Sequence, residues 1–270
     1  MKSKKLKKWT TLLTCATALT VMTACSQSSS QSTGTTSSTT SKTSAVTATT
    51  SKKTNKNNSN YFTSKDSDTS YDESSASKIK LSGSSADVSG DGVAVSGSTV
   101  TISKAGTYVI SGKSDGVQIK VDAGDSDDVH IVLDGVTMTN TNAAINATSA
   151  GHVYLTLKDG TTSTLSDSSS NSDEDADAVI FSKGDLTING SGTLNIDAKK
   201  NNGIKANDSL HMTGGTYKIT SVGDAFNVND ELNITGTTMT IEAEEDAVKV
   251  DNDDDLSLIH ISEPTRLRRI

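Results

Sequence analysis

Asp185–Asn252 reads as three near-copies of one line: DLTINGSGTLNIDAKKNNGIKAND, SLHMTGGTYKITSVGDAFNVND and ELNITGTTMTIEAEEDAVKVDN. Leu186, Leu210 and Leu232 open the lines. Thr193, Thr216 and Thr238 recur at 23 and 22 residues, as do Ile196, Ile219 and Ile241; Ile204, Phe226 and Val248 recur at 22 and 22. Such a period marks a stacked-repeat architecture. Within the first line Leu186/Ile188, Leu194/Ile196 and Ile204/Ala206 alternate with polar residues, the pattern of short strands with one apolar side. Asn189-Gly190-Ser191-Gly192, Lys200-Asn201-Asn202-Gly203 and Asn207-Asp208 supply turns between them. One such repeat cannot bury its own apolar row, but stacked repeats share a core. The expected fold is therefore all-β: a right-handed parallel β-helix with three short strands per coil of about 22 residues. A sandwich of antiparallel strands would not need the same residue type every 22 positions.

Working outward, Ile79–Asp255 would hold about eight such coils. Val93–Val95, Val100–Ile102 and Tyr108–Ile110 are the less regular strands of a capping end. Residues 1–24 form a signal peptide, with five Lys before the mostly apolar run Trp9–Ala24. Met22-Thr23-Ala24-Cys25 resembles a bacterial lipobox, which implies cleavage before Cys25 and lipid on its sulfur; a plain secreted chain cut near Ala24 is the alternative. Cys15 lies in the removed part, so no disulfide or cysteine metal site is expected. The chain is then exported and lipid-anchored to the outer face of the bacterial cell membrane. Residues 25–77, rich in Ser, Thr, Asn and Lys, are expected to be a disordered linker, and the domain proper spans 78–255. Leu256–Ile270 holds the only Pro and all three Arg, and it leaves the repeat. Its LSLIHISEPTR resembles the translation of a transposase sequencing adapter, so 256–270 is read as an artefact that truncates the domain.

Charge is unevenly spread. Residues 61–255 carry 13 Lys, no Arg and 32 Asp plus Glu, a net charge of −19. That field disfavours nucleic acid and favours cations or cation-bridged partners. Asn202, Asp224 and Asp246 fall at one turn position of successive lines, and Asp208 and Asp230 at another, continued by Asn252. Carboxylates stacked one strand spacing apart repel, and Ca²⁺ takes oxygen ligands of this kind. Two readings stay open: Ca²⁺ between stacked residues, or side chains bonding the turn backbone. Asp173, Asp175 and Asp177 alternate as in an EF-hand. However, Ala178 replaces the sharp-turn Gly and Gly184 the bidentate Glu, so the loop is not an EF-hand but an acidic loop able to take Ca²⁺. Gly124–Asp128 is a weaker loop of the same type.

The runs AGTYVISG (Ala105–Gly112) and VQIKVDAGDSDDVHIVLDGVTMTN (Val117–Asn140), followed by the DAF and DAV repeats, resemble the family of carbohydrate-binding domain-containing proteins of bacterial surface lipoproteins, over about 79–255. The resemblance implies a right-handed parallel β-helix like that of polysaccharide lyases, calcium at acidic turns, and non-catalytic binding of plant cell-wall polysaccharide, acidic glycans included. Tyr217 and Phe226 align with core positions, which leaves Tyr154, expected to face outward, as the stacking residue, with Lys205 and Lys249 as further ligand contacts. A monomer is expected, touching membrane only through its lipid. A calcium-dependent lyase is the first rival reading, but the domain has no Arg and dense acid would raise the pKa of a Lys base. An adhesion module is the second. His130, His152 and His211 show no common repeat position.

Overall fold

The alternating apolar pairs pass, repeat after repeat, into parallel ladders. In this computed structural model residues 61–251 and the backbone of Ile259–Ser262 are described; residues 1–60, which include the expected signal peptide and Cys25, and most of the tail lie outside them. The described residues fall in the compact unit Lys42–Ile270. Strands run β1 (Ser77–Gly83), β2 (Ser85–Ser89), β3 (Val93–Ser96), β4 (Thr99–Ile102), β5 (Gly106–Asp115), β6 (Gln118–Asp122), β7 (Asp128–Thr139), β8 (Ile145–Ser149), β9 (His152–Leu157) and β10 (Thr162–Ser166). They continue with β11 (Ala178–Ser182), β12 (Leu186–Ala198), β13 (Asn202–Ala206), β14 (Leu210–Ser221), β15 (Phe226–Val228), β16 (Leu232–Thr235), β17 (Thr238–Ala243), β18 (Lys249–Val250) and β19 (Ile259–Ser262). The protein is all-β among the described residues, apart from one 3-10 turn at Lys65–Ser67.

Two sheets take these strands. One orders them β19-β16-β14-β12-β10-β7-β5-β1-β2, with β9 and β17 alongside; the other orders them β18-β15-β13-β11-β8-β6-β4-β3. Among the described residues only β1–β2 and β3–β4, at the first end, pair antiparallel. Like stacks on like: Leu186, Leu210 and Leu232 are register partners, as are Thr193, Thr216 and Thr238, and Ile204 and Phe226. The inward rows close one core, in which Leu186, Ile188, Leu194, Ile196, Ile204, Met212, Tyr217, Ile219 and Phe226 are all essentially inaccessible. At ~1.5–3 kcal/mol for each large apolar side chain buried, that column is the main source of stability.

Three expectations change. Asn189–Gly192 is a bend within one strand rather than a turn between two: β12 runs through it, pairing β9 before the bend and β10 after. Gly190 makes that bend possible, since its φ is +106° and a Cβ there would stand 2.3 Å from the Leu157 carbonyl oxygen. The period is also not uniform. Ile145 pairs with Ile180 across the acidic loop, so the second sheet holds seven parallel-paired strands rather than the eight that a steady 22 would give. Lastly, the tail does not leave the repeat at once, because Leu232 pairs with Ile259 and Ile234 with Ile261.

The boundary of the linker moves too. Tyr61–Ala76 is not free chain but lies on the sheet formed by β7, β9, β12 and β14, with Asp66 only 2% exposed.

Phe226→Ala should cost about 3–5 kcal/mol, read from urea unfolding, because the cavity lies in the middle of the core. Gly190→Ala should also destabilise, while Gly160→Ala, whose Cβ would meet nothing within 4 Å, should cost only the strain of its positive φ.

Candidate functional site

The first predicted site is a ladder. Asp224 N–H donates to Asn202 Oδ1 at 2.9 Å and Asp246 N–H to Asp224 Oδ1 at 3.1 Å. Asp224 Oδ2 accepts from Asn227 Nδ2 at 2.9 Å, and Asn202 Nδ2 donates to Asp177 Oδ2 at 3.3 Å. Both oxygens of Asp224, a buried residue at 3% exposure, are thus engaged by protein donors. Of the two readings of this column, the hydrogen bonds present are those of the turn-backbone ladder. Among the described residues no group of three or more His, Cys, Asp or Glu side chains is arranged to hold a metal ion.

The acidic loop folds onto the turn before β13. Asp173 Oδ1 caps the loop by accepting from the backbone N–H of Asp175 and Ala176 at 3.2 and 3.0 Å. Asp177 pairs with Lys205 at 2.7 Å. At the base Asp167, with no exposure, accepts from Lys199 N–H at 2.6 Å and Asn171 Nδ2 at 3.1 Å. Burial still pushes the Asp167 carboxyl up. Beside this loop opens a hollow of about 380 Å³, lined by Asn171, Ser172, Asp173, Glu174, Asp177, Lys200 and Asn201. Carboxylates, amides and an ammonium facing one open space form a polar surface suited to hydroxyl-rich ligands.

Asp208, Lys249 and Lys205 do not line the hollow. Partial desolvation, then the neighbouring Asp185 and Asp230, push the Asp208 carboxyl up. Lys249 pairs with Asp251 at 2.9 Å, and that carboxylate raises its pKa. Lys205, already paired with Asp177, is 19% exposed and is not an open ligand contact.

Tyr154 does face outward, but it is 8% exposed and covered. Its ring stacks on His152 at 4.1 Å, and Lys65 Nζ stands 4.8 Å above it. Lys65 itself pairs with Asp128. Register supplies a row that the sequence spacing hid: His130, Tyr154, Thr187, His211 and Asn233 are successive partners. His130 and His211 thus share a repeat position, while His152 stands in a different row, opposite Asp128.

Beside that row, Thr156 donates to Asn189 Oδ1 at 2.6 Å and lies 2.7 Å from His130 Nε2. Thr187 donates to Asp66 Oδ1 at 2.7 Å and lies 2.9 Å from His152 Nε2. A hydroxyl has one proton, so each histidine must present Nε2–H. Burial lowers both histidine pKa values, which keeps the rings neutral at pH 7.

Three comparisons bear on these geometries. The family described as "Carbohydrate-binding domain-containing protein" matches residues 96–265, past the break expected at Asp255. A protein of that same description from Acetivibrio thermocellus is 39% identical over 123 residues; the match spans 43% of this chain and 43% of that relative, less than half its length. A solved structure described as the polysaccharide lyase-like protein from C. thermocellum, a gadolinium derivative, is 26% identical with a TM-score of 0.56, covering 70% of this chain and 98% of that one.

Asp224→Ala should cost about 1–3 kcal/mol in thermal or urea unfolding by orphaning the Asp246 and Asn227 donors, and Asp224→Asn less, since one oxygen remains. Hydrogen bonds from Thr187 and Thr63 hold the Asp66 carboxyl below its ordinary 3.8 against the opposing effect of burial. The stability it contributes is therefore present above 3.8 and lost as pH falls through the lower, folded value. Trypsin cutting after Lys65 should accordingly be slow in protein held at neutral pH and fast in protein whose Asp66 is replaced by Ala.

Proposed function

Since the chain belongs to the family of carbohydrate-binding domain-containing proteins, we propose that it is a non-catalytic, surface-anchored binder of cell-wall polysaccharide, acidic glycans such as polygalacturonate above all, with cellulose a further candidate. The observation that carries this reading is the family match laid over a body whose open hollow gathers carboxylates, amides and Lys200 on one side. The architecture we infer is a right-handed parallel β-helix: three strand positions per repeat, parallel ladders between repeats, and the handedness that parallel crossovers take in nearly every case.

Calcium enters as a shared ion. Among the described residues the carboxylates do not gather into a finished cage, so Asp173, Glu174 and Asp177 would supply part of an oxygen shell and the uronates of the glycan the rest. Hard-cation coordination with six to eight oxygens tolerates such mixed shells. The −19 charge of residues 61–255 repels a bare polyanion, so a bridging cation supplies what charge alone withholds. Cys25 carries the lipid that holds the domain outside the membrane, the protein acts as a monomer, and nucleic acid is not a partner.

A polysaccharide lyase is the second reading, favoured by the description of the solved relative. Against it stands the make-up of the hollow, whose lining of carboxylates, amides and a hydroxyl includes one Lys and neither Arg nor His.

Pull-down on insoluble polygalacturonate and on cellulose, with calcium or with chelator, tests the proposal. Retention on polygalacturonate in calcium, lost in chelator and weakened by Glu174→Gln, is expected. Absence of retention on both glycans would remove the binding reading. Ultraviolet absorbance from unsaturated uronates would replace it with the lyase.

A further inference from the structure

The segment Tyr61–Ala76 crosses the outward face of β7, β9, β12 and β14, and its burial is concentrated in one residue. Asp66 is 2% exposed, while every other residue from Tyr61 to Ala76 is exposed or half-buried. The segment therefore has no apolar anchor of its own. What holds it is polar: Asp66 Oδ1 accepts from Thr187 at 2.7 Å, and the Asp66 carbonyl accepts from Thr213 Oγ1 at 2.6 Å and Asn189 Nδ2 at 3.2 Å. His211 Nδ1 lies 3.2 Å from Asp66 Oδ1, off the line of a hydrogen bond. Phe62 meets the His211 ring edge-on at 5.7 Å, and Tyr71 meets His130 likewise at 6.0 Å.

The receiving row has more capacity than Asp66 uses. Asn233, the next residue after His211, is fully buried, with neither Oδ1 nor Nδ2 partnered among the described residues. A buried amide with no partner is expensive and rare unless a ligand or water completes it. Three register steps along the row from Asn233, Tyr154 and His152 stack as flat rings of the kind sugar faces cover.

We propose that the row Tyr154–Thr187–His211–Asn233, with Asn189 beside it, is a binding site for a carboxylate-bearing sugar, and that Asp66 occupies it as an intramolecular stand-in for the sugar's carboxylate. The choice of a uronate rests on the polysaccharide reading above; the site itself rests on the contacts of Asp66 and on the unpartnered Asn233. In this arrangement Thr187 donates to the uronate carboxylate where it now donates to Asp66. Asn189 and Asn233 take ring hydroxyls, and Tyr154, freed of Lys65, takes an apolar sugar face. Tyr61–Ala76 must swing aside for this, so the wild-type chain binds through the row only weakly, in proportion to the small fraction with the strap open.

Calorimetric titration of the full chain with trigalacturonate, its methyl ester and triglutamate tests the assignment. Asp66→Ala should bind trigalacturonate about tenfold or more tighter than wild type, because the internal competitor is gone. The methyl ester and triglutamate should show no such gain, and Thr187→Val added to Asp66→Ala should abolish it. A strap that becomes trypsin-sensitive in Asp66→Ala without any gain in affinity would overturn the site, and an equal gain for triglutamate would overturn its assignment to a sugar. Should Asp66→Ala lack a cooperative melting transition, Lys65→Ala, which uncovers Tyr154 and leaves Asp66 in place, should give a smaller gain in the same direction; no gain there overturns the proposal too. A wild type retained on polygalacturonate with no gain in either variant would sink only this inference. A gain in a variant of a wild type that is not retained would sink only the hollow.

Discussion

Register dominates this molecule. Successive repeats lie one strand spacing apart, about 4.7–4.9 Å, and are held parallel, so each residue has its counterparts from the neighbouring repeats above and below it. For the inward rows that is favourable without qualification: Leu on Leu and Ile on Ile bury one another, and Ile219, Phe226 and Met212 add contact enthalpy to hydration entropy. For the outward rows and corners the same rule is a hazard, because polar groups and charges are stacked on their own kind. Much of the chemistry at the corners is the protein's response to that hazard.

Three different responses appear at three places. At the Asn202–Asp224–Asp246 corner an amide begins the column, and each oxygen then accepts the backbone N–H of the next repeat, so the carboxylate is stabilised by dipoles rather than by an opposite charge. At Asp177 the response is a cation, Lys205, at 2.7 Å in a setting three-quarters or more shielded. That is a more consequential pair than the half-exposed Lys249–Asp251 contact, since exposed pairs contribute ~0–1 kcal/mol. At Asp208 there is no full answer, and the carboxyl is pushed up by partial desolvation and by Asp185 and Asp230. Acid is therefore tolerated at these corners to different degrees.

The strand pairs and their stacking were legible wherever the spacing was regular. Leu186, Leu210 and Leu232 announce their own partnership, and the structure pairs them. Legibility failed where the spacing broke. His130 to Tyr154 to Thr187 to His211 steps unevenly because the acidic loop is inserted between β10 and β11, so a row continuous in space is discontinuous in the text. Alternation correctly turned Tyr154 outward, but outward is not the same as exposed: the cover comes from residues over eighty positions away, whose composition resembles a linker. A stretch of Ser, Thr, Asp and Lys has no apolar pattern to mark it as packed, and nothing local distinguishes a solvated Asp from Asp66. The glycine bend at Gly190 failed differently, since a corner that keeps its ladder and a turn that ends one use the same residues.

Asp66 shows what kind of energy holds the strap. Desolvating a carboxylate disfavours its charge, yet hydrogen bonds from Thr187 and Thr63 outweigh that cost and leave the acid stronger than usual. The contact is therefore directional and charge-specific, with little area behind it. A segment held by a hydrophobic plug would resist most competitors and discriminate poorly among them. One held by a single buried, hydrogen-bonded carboxylate is open to replacement by another anion of the same geometry, and selects against groups that would leave the Thr187 hydroxyl unanswered. The strap's weakness and its selectivity thus have a common source. The same row that stacks aromatic and hydroxyl side chains in register also determines which chemistry can lift the chain from it.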